Sequence, residues 1–190
     1  MRQILLTDLC EMANDAKPDL QQAAAQMGRP VKIYAHWTAG HYGQFFDDYH
    51  ISIDQDGGVY TAVDDLSTQL AHTYRRNSGA VGLAVCCAYG AVSADNLGPE
   101  PPTDMQIEAL SQVIAVLTSA LAIPIDIQHV MTHAEAADNL DGDDRWHTPY
   151  GPDSTVERWD LWVLKEGDPA GSGGGIMRGK AVWYQNNGGL

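Results

Sequence analysis

The stretch from Thr103 to Pro124 does most to limit the folds open to this chain. Thr103 and Gln106 form a capping-box pattern, and Leu110, Val113, Ile114, Leu117 and Leu121 follow at three- and four-residue spacing, which predicts an amphipathic helix ending before Pro124. Apolar runs flank it, Ala80 to Cys87 before and Ile125 to Met131 after, and both read as strands. A buried strand and an amphipathic helix each need a partner layer, so helices packed on a sheet are required.

The rest of the chain extends that pattern. Thr7 caps a short helix over Leu9, Met12 and Ala13, and Pro18 with Asp19 predicts a fresh helix through Leu20, Ala24 and Met27, stopped by Gly28 and Pro30. Residues 31–36 read as a buried strand. Tyr49 to Asp54 alternates as another, and the turn signal Asp56-Gly57-Gly58 joins it to Val59–Val63 as a hairpin. The expected order is α-α-β-β-β-β-α-β, an α/β fold with a central mixed sheet of about five to six strands flanked by helices. Residues 134–157 read as a long loop of the kind that builds sites. Gly167 to Gly175 reads as a flexible connector, after which Ile176 to Gln185 is expected to dock as an edge strand or to meet a partner. The division expected is 1–166 as one domain, with residues 1–28 as helices packed on it, and 167–190 as connector and tail.

With 190 residues there is enough chain for one domain with a substantial core. No apolar run approaches the roughly 18 residues needed to span a bilayer. A formal net charge of -14 repels phosphate backbones and anionic lipid, which argues against nucleic acid and membrane insertion. The N-terminal apolar stretch breaks at Asp8, too early for a signal-peptide core, so synthesis in the cytoplasm without a signal peptide is expected. The three cysteines, Cys10, Cys86 and Cys87, are an odd set, and Cys86-Cys87 lies in an apolar run where free thiols act as small buried hydrophobes.

Chemistry gathers at strand ends. His36 closes Val31–His36 and His133 follows the Ile125–Met131 run, while Asp160 lies downstream in Arg158-Trp159-Asp160. Two neutral imidazoles and one carboxylate are a zinc donor set that leaves a fourth position open, the mark of a catalytic rather than a structural site. Taken singly, each histidine is equally well a strand-end residue bonded to backbone. Asp143 and Asp144, in the loop after His133, are alternative third donors.

Five segments in order, Ala35-His36-Trp37-Thr38-Ala39, Tyr49 to Gly57, His72 to Gly82, Thr132-His133-Ala134-Glu135 and Arg158-Trp159-Asp160, give the chain its family likeness. It resembles the zinc-dependent N-acetylmuramoyl-L-alanine amidases of the phage-lysozyme and peptidoglycan recognition protein superfamily over roughly residues 31–164. The resemblance implies that His36, His133 and Asp160 hold Zn2+, which lowers the pKa of a bound water towards about 7. It implies hydrolysis of the amide between N-acetylmuramic acid and the L-alanine of the peptidoglycan stem peptide.

By the same resemblance Tyr49 stands where phage-type members place a tyrosine near the metal, to orient the attacking water or donate a hydrogen bond. Gly82 to Cys87 lacks the acidic residue that other members carry on that strand, which puts this task on Tyr49. Arg158 takes the place of a lysine in many relatives and is expected to steady the oxyanion, although guanidinium geometry differs from that of an ammonium. His72 and Asn77 are expected on the cleft wall, and Trp37 and Trp146 as stacking surfaces or core anchors. His50 alternates away from Tyr49 and reads as a buried, hydrogen-bonded histidine. His41, His129 and His147 have no partner pattern.

Two other readings share these residues: a peptidoglycan-binding module without catalysis, and a zinc peptidase cutting within the stem peptide. The expected site of action is the periplasm or cell wall. It would be reached either as an endolysin released through a holin, or as a secreted antibacterial effector with an immunity protein.

Overall fold

The computed structural model describes residues 1–143 and 159–188. Its elements in chain order are β1 (Arg2–Gln3), α1 (Leu6–Gln26), β2 (Lys32–Trp37), β3 (Ile51–Ile53), β4 (Val59–Thr61), β5 (Ala80–Val85), α2 (Asp104–Leu121), β6 (Val130–Thr132), α3 (His133–Ala137) and α4 (Gly173–Asn187). The six strands form one mixed sheet in the order β1-β4-β3-β5-β2-β6. β2 runs parallel to β5 and β6, and β3 parallel to β5, while β3, β4 and β1 pair antiparallel. The α/β class with helices around a mixed sheet is the one expected from sequence.

Strand alternation divides β2 between two environments. Ile33, Ala35 and Trp37 join Ile51, Ile53, Val81, Leu83 and Val85 in the main core with the buried stripe of α2. Lys32, Tyr34 and His36 face the other side, where α3, the turn of residues 72–77 and the chain around Asp141 cover the sheet. That second face carries the chemistry.

α2 forms as its sequence demands. Gln106 N–H donates to Thr103 Oγ1 at 3.1 Å and Thr103 N–H to Gln106 Oε1 at 3.0 Å. The Gln106 amide is fully buried and also donates to the carbonyls of Ile53 and Cys86, which ties the ends of β3 and β5 to the start of α2.

Four local expectations are corrected. The two N-terminal helices are one: Pro18 lies inside α1, and the buried stripe Leu9, Ala13, Ala16, Leu20 and Ala24 runs past it. Packing on both sides of Pro18 outweighs the ~3 kcal/mol cost of an interior proline. The strand expected from Ile125 begins only at Val130, because Asp126 closes a turn: its carbonyl accepts from Val130 N–H at 2.8 Å and its carboxylate from Gln128 and His129 N–H. The loop after His133 opens with α3. The stretch expected as connector and edge strand supplies α4, which packs along α2 with Met177 and Ala181 buried. None of the helices described is long and apolar enough to cross a membrane.

Candidate metal centre

The C-terminal end of β2 delivers His36 to the second face, β6 ends so that His133 begins α3, and Asp160 approaches from the chain beyond residue 158. His36 Nδ1 lies 3.1 Å from His133 Nδ1 and 3.1 Å from Asp160 Oδ2, and His133 Nδ1 lies 3.0 Å from the same oxygen. Three donor atoms on a triangle of these sides are close to the ~3.3 Å edge of a tetrahedron around zinc with ligands at 2.0–2.1 Å. All three residues are buried, at 0%, 7% and 9% exposure. Burial opposes ionisation of Asp160, but the facing His133 and His36 rings outweigh it and hold the carboxyl well below the usual carboxylate range. Asp143 is not part of the triangle, and its N–H donates to Asp141 Oδ1. Asp144, Arg158, Trp146 and His147 lie outside the described residues.

Behind His36 is a polar relay that sequence reading did not find. Thr73 Oγ1 is 3.2 Å from His36 Nε2 and 2.9 Å from His72 Nδ1. His72 is itself buried. Desolvation, with the neighbouring histidine rings, keeps its pKa well below the ordinary imidazole value, so it is neutral. Room for its ring comes from Gly82, where a Cβ would stand 2.6 Å from the His72 ring atoms. His50 is the satisfied core histidine expected: its ring takes a hydrogen bond from Gly82 N–H at 2.9 Å and donates to the Thr68 carbonyl at 2.7 Å.

A cleft of about 470 Å³ opens onto His133 and Asp160. Tyr49 lines it, half-buried, with its ring 5.1 Å from that of His36. His72 and Asn77 line it too, and Asn77 Oδ1 accepts from Thr73 N–H, which closes the turn that aims Thr73. Trp37 borders the cleft while most of its surface packs into the main core. Tyr74 and Arg75, not singled out from sequence, form an exposed part of the wall, with the guanidinium 5.3 Å from the Tyr74 ring centre.

Under the same sheet face lies a buried ionic cluster. Asp141 accepts from Lys32 Nζ at 2.5 Å and from Arg76 Nη1 at 2.6 Å, and Arg76 Nη2 also donates to Asn139 Oδ1 at 2.9 Å. It fastens the chain after α3 to β2 and to the 72–77 turn. Cys86 and Cys87 are buried free thiols, and burial pushes Cys86 up to about 12 and Cys87 well above its ordinary value, so neither supplies a thiolate.

Comparison with known proteins comes from two directions. A family model described as N-acetylmuramoyl-L-alanine amidase matches residues 13–149. Among solved structures the chain is similar to the N-acetylmuramoyl-L-alanine amidase LysC from Clostridium intestinale URNW, at 18% identity and a TM-score of 0.41 over 55% of this chain and 70% of that one. It is similar to the Ph2119 endolysin from the Thermus scotoductus MAT2119 bacteriophage, at 18% identity and 0.43 over 56% and 73%. A third similar structure is PGRP-Hd from Alvinella pompejana, at 19% identity and 0.38 over 54% and 71%. No curated protein sequence matches.

Proposed function

The chain belongs to the N-acetylmuramoyl-L-alanine amidase family, and on that premise we propose that it hydrolyses the peptidoglycan amide between the lactyl group of N-acetylmuramic acid and the L-alanine of the stem peptide. The observation that carries the reading is the buried triangle of His36, His133 and Asp160 opening onto a cleft. The two neutral imidazoles of His36 and His133 and the Asp160 carboxylate are a donor set that fits zinc, which they would hold with a net positive charge. Bound there, zinc would supply a Lewis acid for the scissile carbonyl and would bring the pKa of a water towards about 7.

The protein's own groups do the rest. With Nδ1 of His36 in the donor triangle, its Nε2–H donates to Thr73 Oγ1, and the Thr73 hydroxyl donates to Nδ1 of neutral His72. This chain fixes the His36 tautomer and ring angle, as outer hydrogen bonds do for metal-bound histidines. Tyr49 presents its phenol to the cleft beside His36, where it orients the attacking water by a hydrogen bond. Arg158 is assigned to the developing oxyanion on its sequence position two residues before Asp160. His72, Asn77 and the edge of Trp37 form the wall against which the glycan and stem peptide lie.

Metal analysis of the purified protein, joined to mass spectrometry of digested muropeptides, tests the reading. One equivalent of zinc, free stem peptides beginning with L-alanine, and loss of both metal and product in His36→Ala are expected. A binding module would release no product, and a zinc peptidase would release fragments cut within the stem.

A further inference from the structure

α4 lies beyond the residues matched by the family model, yet it touches the supports of two of the three donors. The Arg178 guanidinium grips the Glu135 carboxylate with both arms, Nη1 to Oε2 at 2.7 Å and Nη2 to Oε1 at 2.8 Å, and Nη1 also donates to the Val130 carbonyl at 2.9 Å. Glu135 is 3% exposed. Its Oε2 accepts from Thr132 N–H at 2.9 Å while its own N–H donates to Thr132 Oγ1 at 3.1 Å. This reciprocal cap sets the corner between β6 and α3, and the residue inside that corner is His133.

The start of α4 presses on the same region and on the residues that directly follow Asp160. A Cβ on Gly174 would lie 2.1 Å from Glu135 Oε1, and one on Gly173 would lie 2.0 Å from the Leu161 carbonyl oxygen. Gly173 N–H donates to the Trp162 carbonyl at 3.1 Å. Leu161, next to Asp160, holds φ of 57°, a left-handed conformation that a non-glycine residue keeps only when its surroundings impose it.

We propose that α4 is a positioning element of the metal centre: Arg178, through Glu135, sets His133, and the glycine pair Gly173-Gly174 seats the helix start against the backbone that carries Asp160. The proposal rests on the zinc reading above. Outer groups that orient ligands change metal affinity 10- to 100-fold when removed, and the bidentate fork of arginine is not reproduced by lysine.

The test measures zinc affinity by competition with a chromogenic chelator, and the visible spectrum of the Co2+-loaded protein, well below the melting temperature of each variant. Arg178→Gln is expected to weaken zinc binding about tenfold or more and to alter the cobalt bands, with Arg178→Lys recovering part of the affinity. Gly174→Ala, which crowds Glu135 without removing a charge, is expected to shift the same readouts and carries the test if Arg178→Gln does not fold. Wild-type affinity and cobalt spectra in Arg178→Gln and Gly174→Ala, alongside metal loss in His133→Ala, overturn the proposal and leave the zinc reading standing. Absence of zinc binding by the wild-type protein overturns both.

Discussion

Thr73 Oγ1 stands 3.2 Å from His36 Nε2 and 2.9 Å from His72 Nδ1, so one hydroxyl links a candidate metal ligand to a buried neutral imidazole. Thr73→Val keeps the shape and deletes the link. Zinc affinity is expected to fall about tenfold, read by chelator competition, with the circular dichroism spectrum unchanged. Thr73→Ser, which keeps the hydroxyl, is expected to retain most of the affinity.

Gly82 lies under the His72 ring with no space for a methyl group. Gly82→Ala is expected to destabilise the fold by about 1–3 kcal/mol in urea unfolding, as overpacking does. Because the clash is with one ring, the double variant Gly82→Ala/His72→Ala should lose less than the sum of the two single changes.

Tyr49→Phe removes only the phenolic hydroxyl from the ring that stands beside His36. An expected drop of about 100-fold in kcat, with zinc still bound one to one, would place the hydroxyl in the chemistry. Steady-state hydrolysis of purified peptidoglycan with parallel metal analysis makes the measurement, and an unchanged kcat would remove Tyr49 from the mechanism.

Burial alone would raise the pKa of Asp141, but hydrogen bonds from Arg76 and Lys32 reverse the effect and hold it at about 2 against an ordinary 3.8. A depressed carboxylate stabilises the folded state above the unfolded pKa, so this contribution is complete at neutral pH. It is lost as pH falls from 3.8 through 2, on the order of 2 kcal/mol. Asp141→Asn leaves Lys32 and Arg76 buried without their countercharge, and a loss of about 3–5 kcal/mol at pH 7 is expected by chemical denaturation.

Incubation with a strong chelator is expected to abolish amide hydrolysis, and added zinc to restore it. Retained activity in metal-free protein would exclude the zinc reading.

What the sequence could reveal followed the range of each interaction. α2 was legible because Thr103, Gln106 and its apolar stripe are local and agree with one another. The meeting of His36, His133 and Asp160 was legible only through ordered motifs, since no local rule brings together residues 97 and 27 positions apart. Pro18 misled because a local helix-breaking rule was outweighed by packing on both sides. Gly173 and Gly174 misled in the opposite sense: glycine reads as slack chain, but here its missing side chain permits contact with Leu161 and Glu135. Thr73 and Arg178 carry no sequence signal, because each matters only through a partner chosen by the fold.

The donor triangle draws on three segments that an unfolded chain holds far apart, so a cation with affinity for it selects the native state alone. Such selective binding adds RT ln(1 + [L]/Kd) to stability, about 4 kcal/mol when the free ion is a thousandfold above Kd. On the zinc reading proposed above, a scarce supply of the ion would slow turnover and, in the same measure, expose the molecule to proteases for longer.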